Sequence, residues 1–233
     1  MTFTTLDNVD DADLRVAVRA GAAFGDHANL LPIMPAEFEE AQREFPIVFR
    51  RGEDGGIRAF VLLGLDRGEN LFLDGDRWTT RFVPAIQRRG PFALVRGADG
   101  EMVVQVDRDD PRVGAPEGLP LFRDHGGDAP YLEHVRAALM QLAEGAQSER
   151  AIHADWEAAG LLRGVTLRID LGDAGGYEMN DVLTIDQAAL AGLSGAPLER
   201  LHASGLLRGA TMAAASLGNM GRLVELKTIK EGA

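Results

Sequence analysis

Two short β-rich runs joined by a glycine turn occur twice in the first half of the chain, and this repeat constrains the fold more than any other feature. The first copy is centred on Gly52–Gly56 and the second on Gly97–Gly100, 45 residues further on. Glycine accepts the positive φ of a tight connection, so each copy predicts an antiparallel hairpin, within residues 46–63 and 91–106. The repeat is typical of recurring turn chemistry, with an internal duplication as the alternative.

In the second half of the chain, the spacing of apolar residues becomes that of a helix. Four apolar residues share one helical face there: Leu132, Val135, Leu139 and Leu142. They predict a helix over 130–146, followed by a second helix over 148–159 that Gly160 ends. A shorter helix is expected over 35–44, since a proline occupies its first turn and another follows its end.

The rest of the second half mixes strand and helix signals. Residues 166–171 alternate like a strand, and 182–185 predict a second strand after a glycine-rich turn over 172–176. Residues 212–226 lack that alternation and predict a helix of small residues. The C-terminal half is therefore expected to be mainly helical.

These elements predict an α+β fold class. We expect an N-terminal antiparallel β-hairpin meander packed with a mainly helical C-terminal lobe in a single compact unit. The expected parts are an acidic lead-in over 1–23, a β-rich lobe over 24–125 and an α-rich lobe with short strands over 126–233. A chain of 233 residues with 45% apolar side chains is long enough to bury a sizeable core.

The charge balance is acidic, with 24 basic and 36 acidic residues and a net charge of −12. Such a surface repels phosphate backbones, so we expect no nucleic-acid partner. The first residues are acidic where a signal peptide is basic, which predicts a cytoplasmic protein, with leaderless export to the cell surface left open. The uncharged stretch Gly209–Gly221 has 13 residues, fewer than the roughly 18 of a membrane span. We expect no membrane span.

Several chemistries lack the residues that they need. The chain has no cysteine, which excludes disulfides, thiolate metal sites and a cysteine nucleophile. It also lacks a P-loop, the glycine triplet of dinucleotide-binding folds and the Gly-x-Ser-x-Gly turn of serine hydrolases. We therefore expect no cofactor and assign no catalytic residue, and whether the protein is an enzyme stays open.

One metal-binding pattern is present as an alternative. His153, Asp155 and His202 match the order of a non-haem iron site with two histidines and one carboxylate. Positions i and i+2 of a helix diverge by about 200°, however, and His153 and Asp155 fall inside a predicted helix. We therefore prefer to assign no metal ligand.

The segment between the two hairpins concentrates cations, an amide and a ring in an otherwise acidic chain. Its candidate ligand-binding residues are Asn70, Trp78, Arg81, Arg88 and Arg89. Arginines interleaved with aromatic rings can bind a carboxylate or phosphate by paired hydrogen bonds while a ring covers the ligand. The alternative is structural, with the arginines pairing with acidic side chains and Trp78 in the core.

The same segment carries most of a family resemblance. The matching runs are Glu37-Phe38 with Ala41, Phe45–Phe49, Leu63–Leu65, Gly68–Phe72, Trp78, Phe82–Ala85, Arg89–Phe92, Gly118–Phe122 and Gly160–Leu162. Over roughly residues 24–226 the chain resembles the SapC family of bacterial surface-layer-associated proteins. Gly90 stands where the family pattern has a tyrosine.

The resemblance implies a role without assigning residues to it. It suggests a bacterial accessory protein linked to an uptake or modification system. Together with the arginine-rich segment, this role implies binding of a small anionic ligand or of a partner protein. A homodimer is compatible with this interpretation. The alternatives are a metal-dependent modifying enzyme and a structural component of the surface layer.

Overall fold

The computed structural model describes residues 2–97, 99–170 and 175–232. The strands are β1 (Phe3–Thr5), β2 (Arg15–Val16), β3 (Leu30–Pro32), β4 (Ile47–Arg51), β5 (Ile57–Leu62), β6 (Leu73–Asp74), β7 (Arg77–Trp78), β8 (Phe92–Arg96), β9 (Met102–Asp107), β10 (Leu119–Pro120), β11 (Leu162–Asp170) and β12 (Gly176–Ile185). The helices are α1 (Phe38–Ala41), α2 (Ala85–Arg88), α3 (Pro130–Ala158), α4 (Gln187–Ala191), α5 (Gly195–Ala203), α6 (Leu206–Ser216) and α7 (Met220–Glu231). This mixture of helices and antiparallel sheets confirms the α+β class.

The chain divides into two units whose segments alternate along the sequence. Unit 1 comprises Met1–Asp26, Asp74–Trp78 and Ala85–Glu144. Unit 2 comprises His27–Leu73, Thr79–Pro84 and Gly145–Ala233. Each unit has its own antiparallel sheet and its own buried residues.

Unit 1 is built on the sheet β1-β9-β8, with a second, two-stranded sheet of β10 and β2. Strands β8 and β9 pair from Phe92 opposite Val106 to Arg96 opposite Met102, which confirms the second predicted hairpin. The buried cluster contains the residues that face inward from these strands and from the first half of α3: Val16, Phe92, Val104, Val106, Leu121, Phe122, Leu132, Val135 and Leu139. Three of the four residues of the predicted apolar face of α3 therefore form part of this core, and Leu142 does not.

Unit 2 is built on a five-stranded antiparallel sheet in the order β11-β12-β4-β5-β3. Strands β4 and β5 form the first predicted hairpin, which is confirmed. The two hairpins lie in different sheets because β9 pairs with β1, whereas β4 pairs with β12 from the C-terminal half. Helix α6 packs on β4, β12 and α1.

The two hairpin turns repeat each other contact by contact, as the 45-residue offset predicts. In the first, the amide of Gly52 donates to the carbonyl of Gly56 at 2.7 Å, and in the second that of Gly97 donates to Glu101 at 2.7 Å. The last residue of each first strand, Arg51 or Arg96, donates through Nη1 to the glycine carbonyl four residues on. The two turns therefore use the same local contacts.

A single 29-residue helix, α3, replaces the two helices predicted over 130–146 and 148–159. The prediction of two helices was wrong because Gly145 interrupts the apolar pattern without ending the helix. A Cβ at Gly145 would lie 2.4 Å from Cγ of Met34, so glycine is needed there for close packing and not as a cap. Gly160, with φ of +69°, does follow the helix end as predicted.

The remaining elements differ from the predictions mainly in their bounds. A 3₁₀ turn followed by α1 occupies the helix predicted over 35–44. The helix predicted over 212–226 is divided between α6 and α7 by the 3₁₀ turn Leu217–Asn219. Strands β11 and β12 begin earlier than predicted, and Leu171 with most of the predicted turn lies outside the described residues. Among the described residues, no helix is long and apolar enough to cross a membrane.

A buried ionic network ties α7 to the loop that follows β5 in unit 2. Lys227 is 3% exposed and bonds to Asp66, Glu69 and Glu231, while Lys230 also bonds to Glu69. These are the only two lysines in the chain. Burial alone would lower the pKa of Lys227, but its carboxylate partners raise the pKa above its usual value.

Candidate functional site

The five sequence-predicted residues are divided between the two units. Trp78, Arg88 and Arg89 belong to unit 1, and Asn70 and Arg81 belong to unit 2. Asn70 is 7% exposed, and its Oδ1 accepts from the amide of Phe72 at 2.9 Å. The side chain of Arg81 is exposed. Of the five residues, Trp78, Arg88 and Arg89 therefore share one unit.

Trp78 and Arg88 have internal partners in unit 1. The indole Nε1 of Trp78 donates to Oδ1 of Asp26 at 2.8 Å, and Oδ2 of Asp26 accepts from the amide of Gly21 at 2.8 Å. Nη2 of Arg88 donates to Oε1 of Gln141 at 2.9 Å. These contacts give both side chains a part in holding unit 1 together, and their part in ligand binding stays a prediction.

Arg89 has a different environment from its neighbours. It follows α2, is half-buried, and donates through Nη1 to the carbonyl of Phe92 at 2.7 Å. Its Nε is buried and has no hydrogen-bond acceptor among the described residues. Burial lowers the pKa of Arg89, and the positive charge of Arg112 lowers this pKa further. The charge that acts on Arg89 is thus a second cation.

That second cation, Arg112, is 8% exposed and paired with a carboxylate. Its Nε and Nη2 donate to the two oxygens of Asp110 at 2.9 and 2.7 Å. Its guanidinium also lies over the ring of Phe24, 4.5 Å from the centroid. Burial alone would raise the pKa of Asp110, but the bonds from Arg112 lower it below its usual value. Asp110 is therefore ionised and neutralises Arg112 at neutral pH.

Tyr131, at the start of α3, completes this group. A Cβ at Gly90 would lie 3.3 Å from the Tyr131 hydroxyl, so the phenol reaches the residue next to Arg89. The ring contacts Phe92 edge-on at 6.3 Å. Burial raises the pKa of Tyr131, and the charges of Arg112 and Asp110 also act on this pKa, in opposite directions. The hydroxyl therefore remains a hydrogen-bond donor at neutral pH.

We call Arg89, Arg112, Asp110 and Tyr131 the arginine cluster. It holds two guanidiniums and one carboxylate in a protein whose net charge is −12. Only Arg89 belongs to the residues predicted from the sequence. The other three are distant from Arg89 in sequence and follow no recognisable motif, so only the fold identifies them.

Unit 2 contains a small pocket of about 180 Å³. Phe38, Trp156 and Gly209 line it, together with the ion pair in which Arg208 donates to Glu39 at 2.6 Å. Because Arg208 is neutralised by Glu39, this pocket has no surplus charge for an anion. The arginine cluster is therefore the stronger candidate for a site that takes a charged ligand.

The alternative metal site has no geometric support. His153 is 1% exposed, lies 2.6 Å through Nδ1 from the carbonyl of Ile57, and packs against Phe49 and Trp156. Asp155 is exposed, whereas His153 is buried on another face of α3. His202 is also exposed. Within residues 2–97, 99–170 and 175–232, no group of three potential ligands could hold a metal ion.

Comparisons with known proteins identify the family. The sequence model of the SapC family matches residues 6–223, which is nearly the whole chain. The protein belongs to the SapC family. No curated protein and no solved structure matches the chain. The family match thus confirms the resemblance seen in the sequence, and it assigns no role to individual residues.

Proposed function

We propose that this SapC-family protein is an accessory binding protein whose ligand is a small anion held by the arginine cluster in unit 1. The observation that supports this proposal most is Arg89, a half-buried guanidinium whose Nε has no acceptor among the described residues. Buried cations in proteins are normally paired, because an uncompensated buried charge is costly. A bound anion would supply the missing partner.

The cluster has the parts of an anion site. Arg89 provides donors and the net positive charge. Asp110 neutralises Arg112 and fixes its orientation through two hydrogen bonds. The Tyr131 hydroxyl provides a further donor close to Gly90. Guanidinium groups recognise carboxylates and phosphates through paired, charge-assisted hydrogen bonds.

Calorimetric titration of the purified protein with acetate and with inorganic phosphate tests this function. We expect at least one of the two anions to give a saturable heat that Arg89→Gln abolishes. Arg77→Gln is the matched control, because Arg77 is an exposed arginine of the same unit outside the cluster. If neither anion binds, or if both variants lose the same heat, the cluster is not an anion site.

A further inference from the structure

The two guanidiniums of the arginine cluster use their hydrogen-bonding edges differently. Arg112 offers the edge formed by Nε and Nη2 to Asp110, and each of the two nitrogens meets one carboxylate oxygen. This paired geometry matches the spacing of carboxylate oxygens, which is why arginine favours such partners. Unit 1 therefore contains an internal example of how this edge is used.

The same edge of Arg89 makes no such contact with any described residue. Its guanidinium donates instead from Nη1 to the carbonyl of Phe92. Its Nε is a buried donor without an acceptor among the described residues, and leaving a buried donor unpaired is costly. A ligand that fills this edge recovers that cost and repeats the geometry of the Arg112–Asp110 pair.

The charge of the cluster limits the charge of the ligand. Two guanidiniums and one carboxylate leave one positive charge, which a monoanion neutralises. A dianion such as a phosphate monoester would leave a surplus negative charge close to Asp110 in a partly buried place, where charges interact more strongly than in water. Charge balance thus favours a carboxylate over a phosphate.

The surroundings suggest what the carboxylate is attached to. Phe24 lies under the guanidinium of Arg112, and the rings of Phe92 and Tyr131 contact each other beside Gly90. Phe92 is fully buried in the core, whereas the partly exposed rings of Phe24 and Tyr131 can cover an apolar group. The Tyr131 hydroxyl can donate to a carboxylate oxygen. The combination is suited to a carboxylate joined to a small apolar body.

We infer that the ligand is a monocarboxylate that takes the Nε–Nη2 edge of Arg89 in the way Asp110 takes that of Arg112. This inference rests on the proposed function. Because Nε of Arg89 is shielded from solvent, the carboxylate reaches it when the side chain turns this edge outward, and the bond from Nη1 to Phe92 is the contact that such a rotation breaks.

A matched pair of probes, benzoate and phenyl phosphate, tests the inference by calorimetry at pH 8, where the phosphate monoester carries two charges. We expect benzoate to bind more tightly than phenyl phosphate. Arg89→Lys keeps the charge but loses the paired edge, so we expect it to weaken benzoate binding about tenfold and to reduce its preference over phenyl phosphate. Arg77→Lys is the control and should bind benzoate like the wild type.

The outcomes separate the inference from the proposed function. Tighter binding of phenyl phosphate, or an Arg89→Lys variant that binds benzoate as well as the wild type, overturns the carboxylate inference and leaves the anion site standing. Binding of neither probe overturns both. If Arg89→Lys does not fold, Tyr131→Phe replaces it, with several-fold weaker benzoate binding expected and unchanged binding contradicting the geometry.

Discussion

Replacing Glu69 by glutamine should remove the centre of the ionic network that anchors α7 in unit 2. Glu69 is 6% exposed and accepts hydrogen bonds from Lys227 and Lys230 at 3.0 and 2.9 Å, as well as from two backbone amides. Burial alone would raise the pKa of Glu69, but these donors lower it from 4.5 to about 2. The charged form is therefore strongly favoured in the folded state.

The size of the effect follows from this shift. About 2.5 pKa units at about 1.36 kcal/mol each correspond to about 3 kcal/mol of stability at neutral pH, and screening by water reduces this to about 2 kcal/mol. Because the folded-state pKa is depressed, the contribution is present above pH 4.5 and is lost as the pH falls towards 2. Lys227 keeps Asp66 and Glu231 as partners in the variant.

Urea denaturation of the wild type and of Glu69→Gln between pH 7 and pH 2.5 measures both quantities. We expect the variant to lose about 2 kcal/mol at pH 7, and the difference to shrink as the pH falls below 4.5. Glu225→Gln removes an exposed carboxylate from the same helix and should change the free energy of unfolding by less than about 0.5 kcal/mol. A difference that is negligible at pH 7, or independent of pH, would refute the reasoning.

Three further expectations concern single side chains. Burial lowers the pKa of His153 below 6.5, so its contribution to stability should be constant above pH 6.5 and should be lost as the pH falls below that value. Urea unfolding should show this pH dependence in the wild type and not in His153→Gln. Equal pH dependence in both proteins would contradict this expectation. Gly145→Ala places a methyl group within 2.4 Å of Met34 and should cost about 1–3 kcal/mol, seen as a lower melting temperature. At Gly221 no atom lies within 4 Å of a new Cβ, so Gly221→Ala should instead stabilise α7 by up to about 1 kcal/mol. If the two alanine substitutions change the melting temperature equally, the space around Cβ does not determine their effects on stability.

Local chemistry made part of the fold predictable. The glycine turns at 52–56 and 97–100 fix two hairpins because their backbone conformation depends on residues within the turn. The apolar face of α3 follows from helical spacing within one element. The continuity of α3 through Gly145 was not predictable locally, because the role of this glycine depends on Met34, more than 100 residues away in sequence.

Long-range pairing accounts for what the sequence did not reveal. The pairing of β12 with β4 joins segments more than 130 residues apart, and no local pattern specifies it. The candidate site behaves in the same way. Arg89 was predicted from the composition of its segment, which is rich in arginine and aromatic residues. Arg112 and Tyr131 become neighbours of the Arg89–Gly90 turn only in the folded unit.

The most direct measurement of the central claim is the ¹⁵N NMR signal of the Arg89 side-chain Nε, followed while benzoate is added to the full-length protein. A carboxylate that accepts from this Nε–H shifts its resonance in a saturable way. The Nε signal of Arg112, already bonded to Asp110, should move much less. Signals of Arg89 and Arg112 that both stay unchanged up to high benzoate concentration would contradict the claim that the arginine cluster binds an anion.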